Sequence, residues 1–101
     1  MIEIKPEIEK HNLGYVKDHF SSGNDVNAQF DNGETVLIMA CEFQNLDMVK
    51  YLISLGANPE IRECNGLDAE GIARFYGEGP YGHYSETCKS IVKELRSATN
   101  T

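Results

Sequence analysis

Thirty-three residues separate Gly23 from Gly56, Asn32 from Asn65, Gly33 from Gly66, Leu13 from Leu46 and Val16 from Val49, so the chain repeats a unit of fixed length. Units of this length are stacked supersecondary elements, none of which buries its apolar face alone. Their stack offers an elongated surface rather than a closed catalytic pocket. A surface of that shape suits another protein. At 101 residues the chain forms one domain in which all repeats must cooperate to bury an adequate core.

The central unit is the clearest. Asp31-Asn32-Gly33 is turn chemistry, Thr35 is a helix cap, and Val36 to Phe43 carries apolar residues suited to burial between layers. Asn45 is a second cap, followed by Leu46, Val49, Leu52 and Ile53 on one helical face. Gly56 ends that helix and Asn58-Pro59 turns the chain away. One unit therefore reads as helix, turn, helix, extended loop.

The flanking units repeat the outline with changes. Before it, Leu13, Val16 and Phe20 form the same stripe, Gly23 stops the helix, and Ile4 and Ile8 supply a ragged first helix. After it, Asn65-Gly66 turns the chain, Asp68 caps a helix through Ile72, Ala73 and Tyr76, and Ser85 opens a last helix carrying Cys88, Ile91, Val92 and Leu95.

Asn32-Gly33-Glu34-Thr35-Val36-Leu37-Ile38-Met39-Ala40, with Leu46-Asp47-Met48-Val49-Lys50-Tyr51-Leu52-Ile53 and Leu55-Gly56-Ala57-Asn58-Pro59, resembles an ankyrin repeat. The likeness covers residues 13 to 76 well, and Gly23 to Ala28 and Ile91 to Leu95 resemble further pieces of the motif. It implies an all-α repeat fold: an ankyrin-type stack of three helix-turn-helix units, about 1–30, 31–63 and 64–97, with capping first and last repeats.

Three departures from that pattern stand out. Val36 and Ile38 occupy positions where ankyrins favour Pro and His, so the histidine network between loops cannot form and packing must replace it. Glu70 stands where Leu37 does one unit earlier; either it faces solvent, the favoured expectation for a terminal unit, or it has a partner. Met48 and Ile91 lie 43 apart, ten beyond the period, which places an insertion at about 78–87 between the last two helices. Its Gly and Pro content reads as a loop, in which Tyr81 and Tyr84 either cover the end of the stack or anchor a partner.

The resemblance also implies a binding surface along the loop tips and the concave side of the first helices. By position that surface takes Asp31, Asn32, Glu34, Glu42 and Phe43 from the second unit and Asn65, Leu67, Phe75 and Tyr76 from the third. Phe43 and Phe75 have burial between repeats as the competing reading. Aromatic area beside carboxylates suits a basic protein partner; the net charge of −7 either steers such a partner or serves solubility alone. The same charge argues against nucleic acid, because no cluster of Lys and Arg replaces phosphate counterions.

No catalytic constellation is found: His11, His19 and His83 are scattered, and neither a nucleophile elbow nor a phosphate-cradling loop occurs. His83 and Cys88 lack further ligands nearby, so no metal or cofactor is expected. Cys41, Cys64 and Cys88 are odd in number and widely spaced, and the N-terminus lacks a signal-peptide pattern, so a cytoplasmic location is expected. The longest apolar stretch, Val36 to Cys41, is too short to cross a bilayer. Two functions are expected to compete: a binder that engages, and in one version occludes, a basic protein, as small acidic ankyrin immunity proteins do with a toxin, and an adaptor or scaffold subunit of a larger assembly; a metal-binding or enzymatic role is the remote alternative.

Overall fold

A computed structural model describes residues 4–99, apart from the side chain of Tyr81. The described residues form six α-helices: α1 (Lys5–Glu9), α2 (Leu13–Ser21), α3 (Val36–Glu42), α4 (Leu46–Ser54), α5 (Ala69–Gly77) and α6 (Glu86–Thr99). The first five have at most nine residues each, too short to persist alone in water, so packing must hold them. Consecutive helices pair as α1–α2, α3–α4 and α5–α6; α3 packs between α1 and α5, and α4 meets α6. The result is a stack of helix pairs measuring 42 × 30 × 25 Å.

Local chemistry sets the helix starts. Asn12 accepts from the Tyr15 amide, Thr35 from Ile38, Asn45 from Met48 and Asp68 from Gly71, all through side-chain oxygens. Ser85 Oγ accepts from the Cys88 amide at 3.0 Å. Each such cap contributes about 0.5–2 kcal/mol. α1 has no side-chain cap and carries Pro6 in its first turn, consistent with its single-turn length. Between the helices of the first two pairs the chain passes through left-handed residues His11 and Gln44, which are one period apart and each precede a capping Asn.

The core is centred on α3, where every residue from Val36 to Cys41 is buried. A helix that is apolar all round belongs between neighbours, and α1, α4 and α5 surround it. Val16, Met48, Val49, Leu52, Ile91 and Leu95 extend this core from the outer helices, each almost wholly withdrawn from water. Burying one such aliphatic side chain contributes about 1.5–3 kcal/mol.

Val36 and Ile38 do pack inside, but the loops are also joined by hydrogen bonds from other residues. Gln29 Nε2 donates to the carbonyls of Gly33 (3.0 Å) and Arg62 (3.2 Å). The Asn58 amide donates to Asn27 Oδ1 at 2.7 Å.

Glu70 corrects the favoured expectation of a solvent-facing carboxylate. Arg96 on α6 grips it with two bonds of 3.1 and 3.2 Å, and Arg74 reaches it at 3.2 Å from one turn along α5. The Arg96 hydrogen bond, followed by the charges of Arg96 and Arg74, outweighs partial burial and holds the carboxyl below its ordinary pKa.

The insertion divides in two. The capping residues Asn45 and Ser85 are forty apart, seven beyond the period, so seven extra residues lie in the loop. The other three lengthen the start of α6, which has 14 residues against nine in α4. The loop holds a short 3-10 turn at Pro80–Gly82, where no helical structure was expected, and closes through a bridge between Glu78 and Tyr84. Gly77 permits α6 to approach: a Cβ there would stand 2.5 Å from Cys88 Sγ.

Candidate functional site

Two turns of the same construction define one edge of the stack. The Phe30 amide donates to Glu34 O at 2.8 Å and the Gly33 amide to Phe30 O at 2.8 Å. One period later the Glu63 amide donates to Leu67 O at 3.0 Å and the Gly66 amide to Glu63 O at 2.9 Å. The Cys64 amide then donates to Asn32 O at 2.8 Å and ties the tips together. Gly33 makes this approach possible: its φ is +81°, and a Cβ would stand 3.0 Å from the Cys64 nitrogen.

Between these tips and the first helices of the pairs runs a half-open groove of about 400 Å³. One wall is Lys5, Asn32, Glu34 and Glu42. The other is built from Glu63, Cys64 and Asn65 at the second tip, with Leu67, Ile72, Phe75 and Tyr76 leading onto α5. Phe75 is 68% exposed and Tyr76 50%, with their rings edge to face at 5.0 Å between centroids.

The acidic wall has a counter-ion from its own chain. Lys5 Nζ donates to Glu34 Oε1 at 2.9 Å and lies 3.3 Å from Glu42 Oε2. Partial burial alone would lower the pKa of this ammonium, but hydrogen bonding and charge from Glu34 and Glu42 prevail and raise it above the usual lysine value. Glu63 is engaged differently. Oε1 of its carboxylate accepts from the backbone amides of Asn65 (2.8 Å) and Leu67 (2.9 Å), and among the described residues no cation is paired with it.

Seven residues expected at the surface therefore line one groove: Asn32, Glu34, Glu42, Asn65, Leu67, Phe75 and Tyr76. Their roles within it differ from the expectation. Glu34, expected as an exposed acid, is only 4% exposed because Lys5 and the Asn32 side-chain amide hold its carboxylate. Phe43 stands outside the groove and is half-buried against the core. Phe75 takes the opposite course. Asp31 is exposed beside Asn32 without lining the groove.

The insertion contributes elsewhere. Tyr84 is half-buried beneath the Arg74 guanidinium, 5.9 Å from its ring centre, and lines a smaller cavity of about 190 Å³ with Cys88, Lys89 and Val92. That position covers the α5–α6 pair. The expected contact of Tyr81 lies outside the described residues. Lys5, Glu63, Cys64 and Ile72 were not anticipated in the groove. For Glu63 a signal existed, since it opens the turn one period after Phe30; for Lys5, 29 residues before Glu34, none did.

Among the described residues no group of three or more His, Cys, Asp or Glu is arranged to hold a metal. No helix there is long and apolar enough to cross a membrane.

Comparison with known proteins agrees with this architecture. Residues 8–53 match the family model described as ankyrin repeats in many copies. A protein of Treponema pallidum (strain Nichols) named for its ankyrin repeats is 32% identical over 57 residues, covering 56% of this chain and 19% of its own length. Among solved structures, a chain in the complex of the predatory endopeptidase Bd0816 from Bdellovibrio bacteriovorus with the immunity protein Bd3460 superposes with a TM-score of 0.77. The identity there is 28%, over 94% of this chain and 45% of the other. The chain thus spans less than a fifth of the curated relative and under half of the structural match. Residues 8–53 thus match ankyrin repeats, which are protein-binding modules, and the helix pairs stack as such repeats do.

Proposed function

We propose that this protein binds a basic protein partner in the groove between its loop tips and first helices, and inhibits that partner by occluding it, in the manner of an immunity protein. The observation that carries the reading is the exposed pair Phe75 and Tyr76 beside the carboxylates of Glu42 and Glu63. Aromatic area of that kind forms the energetic centre of many interfaces, and a surrounding negative potential accelerates encounter with a positive surface. The net charge of −7 acts in the same direction. Similarity to a chain from an endopeptidase–immunity protein complex supports the inhibitory role. Three free thiols, two of them buried, suit the reducing conditions of a cytoplasm.

Capture on the immobilised protein from host extract, followed by an activity assay of the retained protein, tests this reading. The expected result is a basic protein that is retained by the parent, lost with Phe75→Ala/Tyr76→Ala, and silenced when bound. Equal retention by the double variant would refute the site. Retention without inhibition would leave a binding module of the adaptor kind.

A further inference from the structure

The groove pairs two features that together select a type of side chain. Its acidic wall already accommodates a cation, since the Lys5 ammonium sits within reach of Glu34 and Glu42. The groove lining holds that ammonium and three carboxylates, those of Glu34, Glu42 and Glu63. Glu34 is turned inward and satisfied by Lys5 and Asn32, whereas Glu42 has Lys5 at 3.3 Å as its cation and Glu63, among the described residues, has only the amide groups of its own turn. Glu42 and Glu63 therefore leave negative charge in a concave, partly dry space, where it is less screened than on an open surface.

The same groove is lined by Phe75 and Tyr76. Their edge-to-face arrangement holds two neighbouring rings at different angles, both substantially open to solvent. Such faces attract a flat cation, and Leu67 and Ile72 in the same lining give an alkyl stem something to lie against. A guanidinium meets both demands: it is planar, weakly hydrated, stacks on rings and offers donors to carboxylate oxygens in a fixed fork. An ammonium satisfies the charge but not the stacking.

We infer that the groove anchors an arginine side chain of the protein partner, its guanidinium against Glu42 and Glu63 and its stem and face along Phe75 and Tyr76. This rests on the reading of the groove as the binding site and adds the residue type it selects. Arginine is then the partner's central contact, and a partner carrying lysine at that point binds more weakly.

The test is a titration of the isotope-labelled protein, followed by amide NMR at low ionic strength, with acetyl-Gly-Arg-Gly-amide. Matching peptides carrying Lys or Glu serve as comparisons. Saturable shifts centred on Glu63, Asn65, Leu67, Phe75 and Tyr76 are expected, strongest with Arg, weaker with Lys and absent with Glu. Glu63→Gln and Phe75→Ala should each raise the dissociation constant about threefold or more. Glu63→Gln keeps an oxygen for the amides of the turn; if its spectrum nevertheless shows a disturbed tip, Glu42→Gln takes its place. Shifts no larger than with the Glu peptide, a Lys peptide that binds as tightly as Arg, or variants that titrate like the parent would overturn the inference. Each of those outcomes is compatible with groove-dependent capture of a whole partner, so this proposal can fail while the broader function stands; loss of groove-dependent capture removes the broader function instead.

Discussion

The second and third units share a plan and spend it differently. Both open with a turn closed by the same pair of amide bonds, and both cap their first helix through a side chain, Thr35 in one and Asp68 in the other. Position by position they then diverge. Leu37 is buried where Glu70 is clasped by arginines, Phe43 leans into the core where Tyr76 stands half in solvent, and Glu42 meets the groove where Phe75 does. The middle unit has neighbours on both sides and is built to be covered. The third packs on α3 and α4 of the middle unit and presents its aromatic residues to the groove. A repeat can thus carry either core or exposed aromatic surface at equivalent positions, and the neighbours decide which.

The largest expected effect tests the middle unit. Leu37→Ala removes a fully buried side chain from the helix that all three pairs share, and should cost about 2–5 kcal/mol in urea unfolding. Its midpoint should fall as one cooperative transition for α1 through α6. A split transition would mean that the pairs are separable and would break the comparison.

A smaller effect belongs to the junction of α5 with α6. Gly77→Ala drives a methyl group against Cys88 and should destabilise by about 1–3 kcal/mol through overpacking, measured by thermal unfolding. An unchanged midpoint would show that the inserted loop yields easily.

The smallest effect sharpens the contrast between Leu37 and Glu70. The folded-state pKa of Glu70 is depressed by Arg96, so its stabilisation is present above the unfolded carboxyl pKa and is lost as pH falls through the folded value. Glu70→Gln should therefore cost about 0.5–1 kcal/mol near neutral pH, with the difference from the parent vanishing in acid. A difference that persists unchanged into acid would assign the cost to packing rather than charge.

Much of the fold was legible in the residues because its causes are local. The period, the caps Thr35, Asn45, Asp68 and Ser85, and the buried stripe of α4 all depend on spacing and on side chains a few residues apart. The groove was legible in outline for the same reason, since its rim repeats with the turns. What escaped depends on distance. Lys5 meets Glu34 across 29 residues, Arg96 meets Glu70 across 26, and neither pair leaves a mark in periodicity. The same long-range contacts turned Glu34 from a surface acid into an internal one. Gln29 replaced the missing histidine network by reaching Arg62, one period on, which no local rule anticipates.

The central claim is that recognition resides in the exposed aromatic pair of the third unit and is separable from the core that supports it. The direct measurement is the dissociation constant of the captured partner for Phe75→Ala/Tyr76→Ala, taken together with the urea midpoint of the same variant. The account predicts weakening by roughly 30-fold or more, as for a loss of about 2 kcal/mol or more at an interface centre, with a nearly unchanged midpoint. An affinity equal to that of the parent would contradict it.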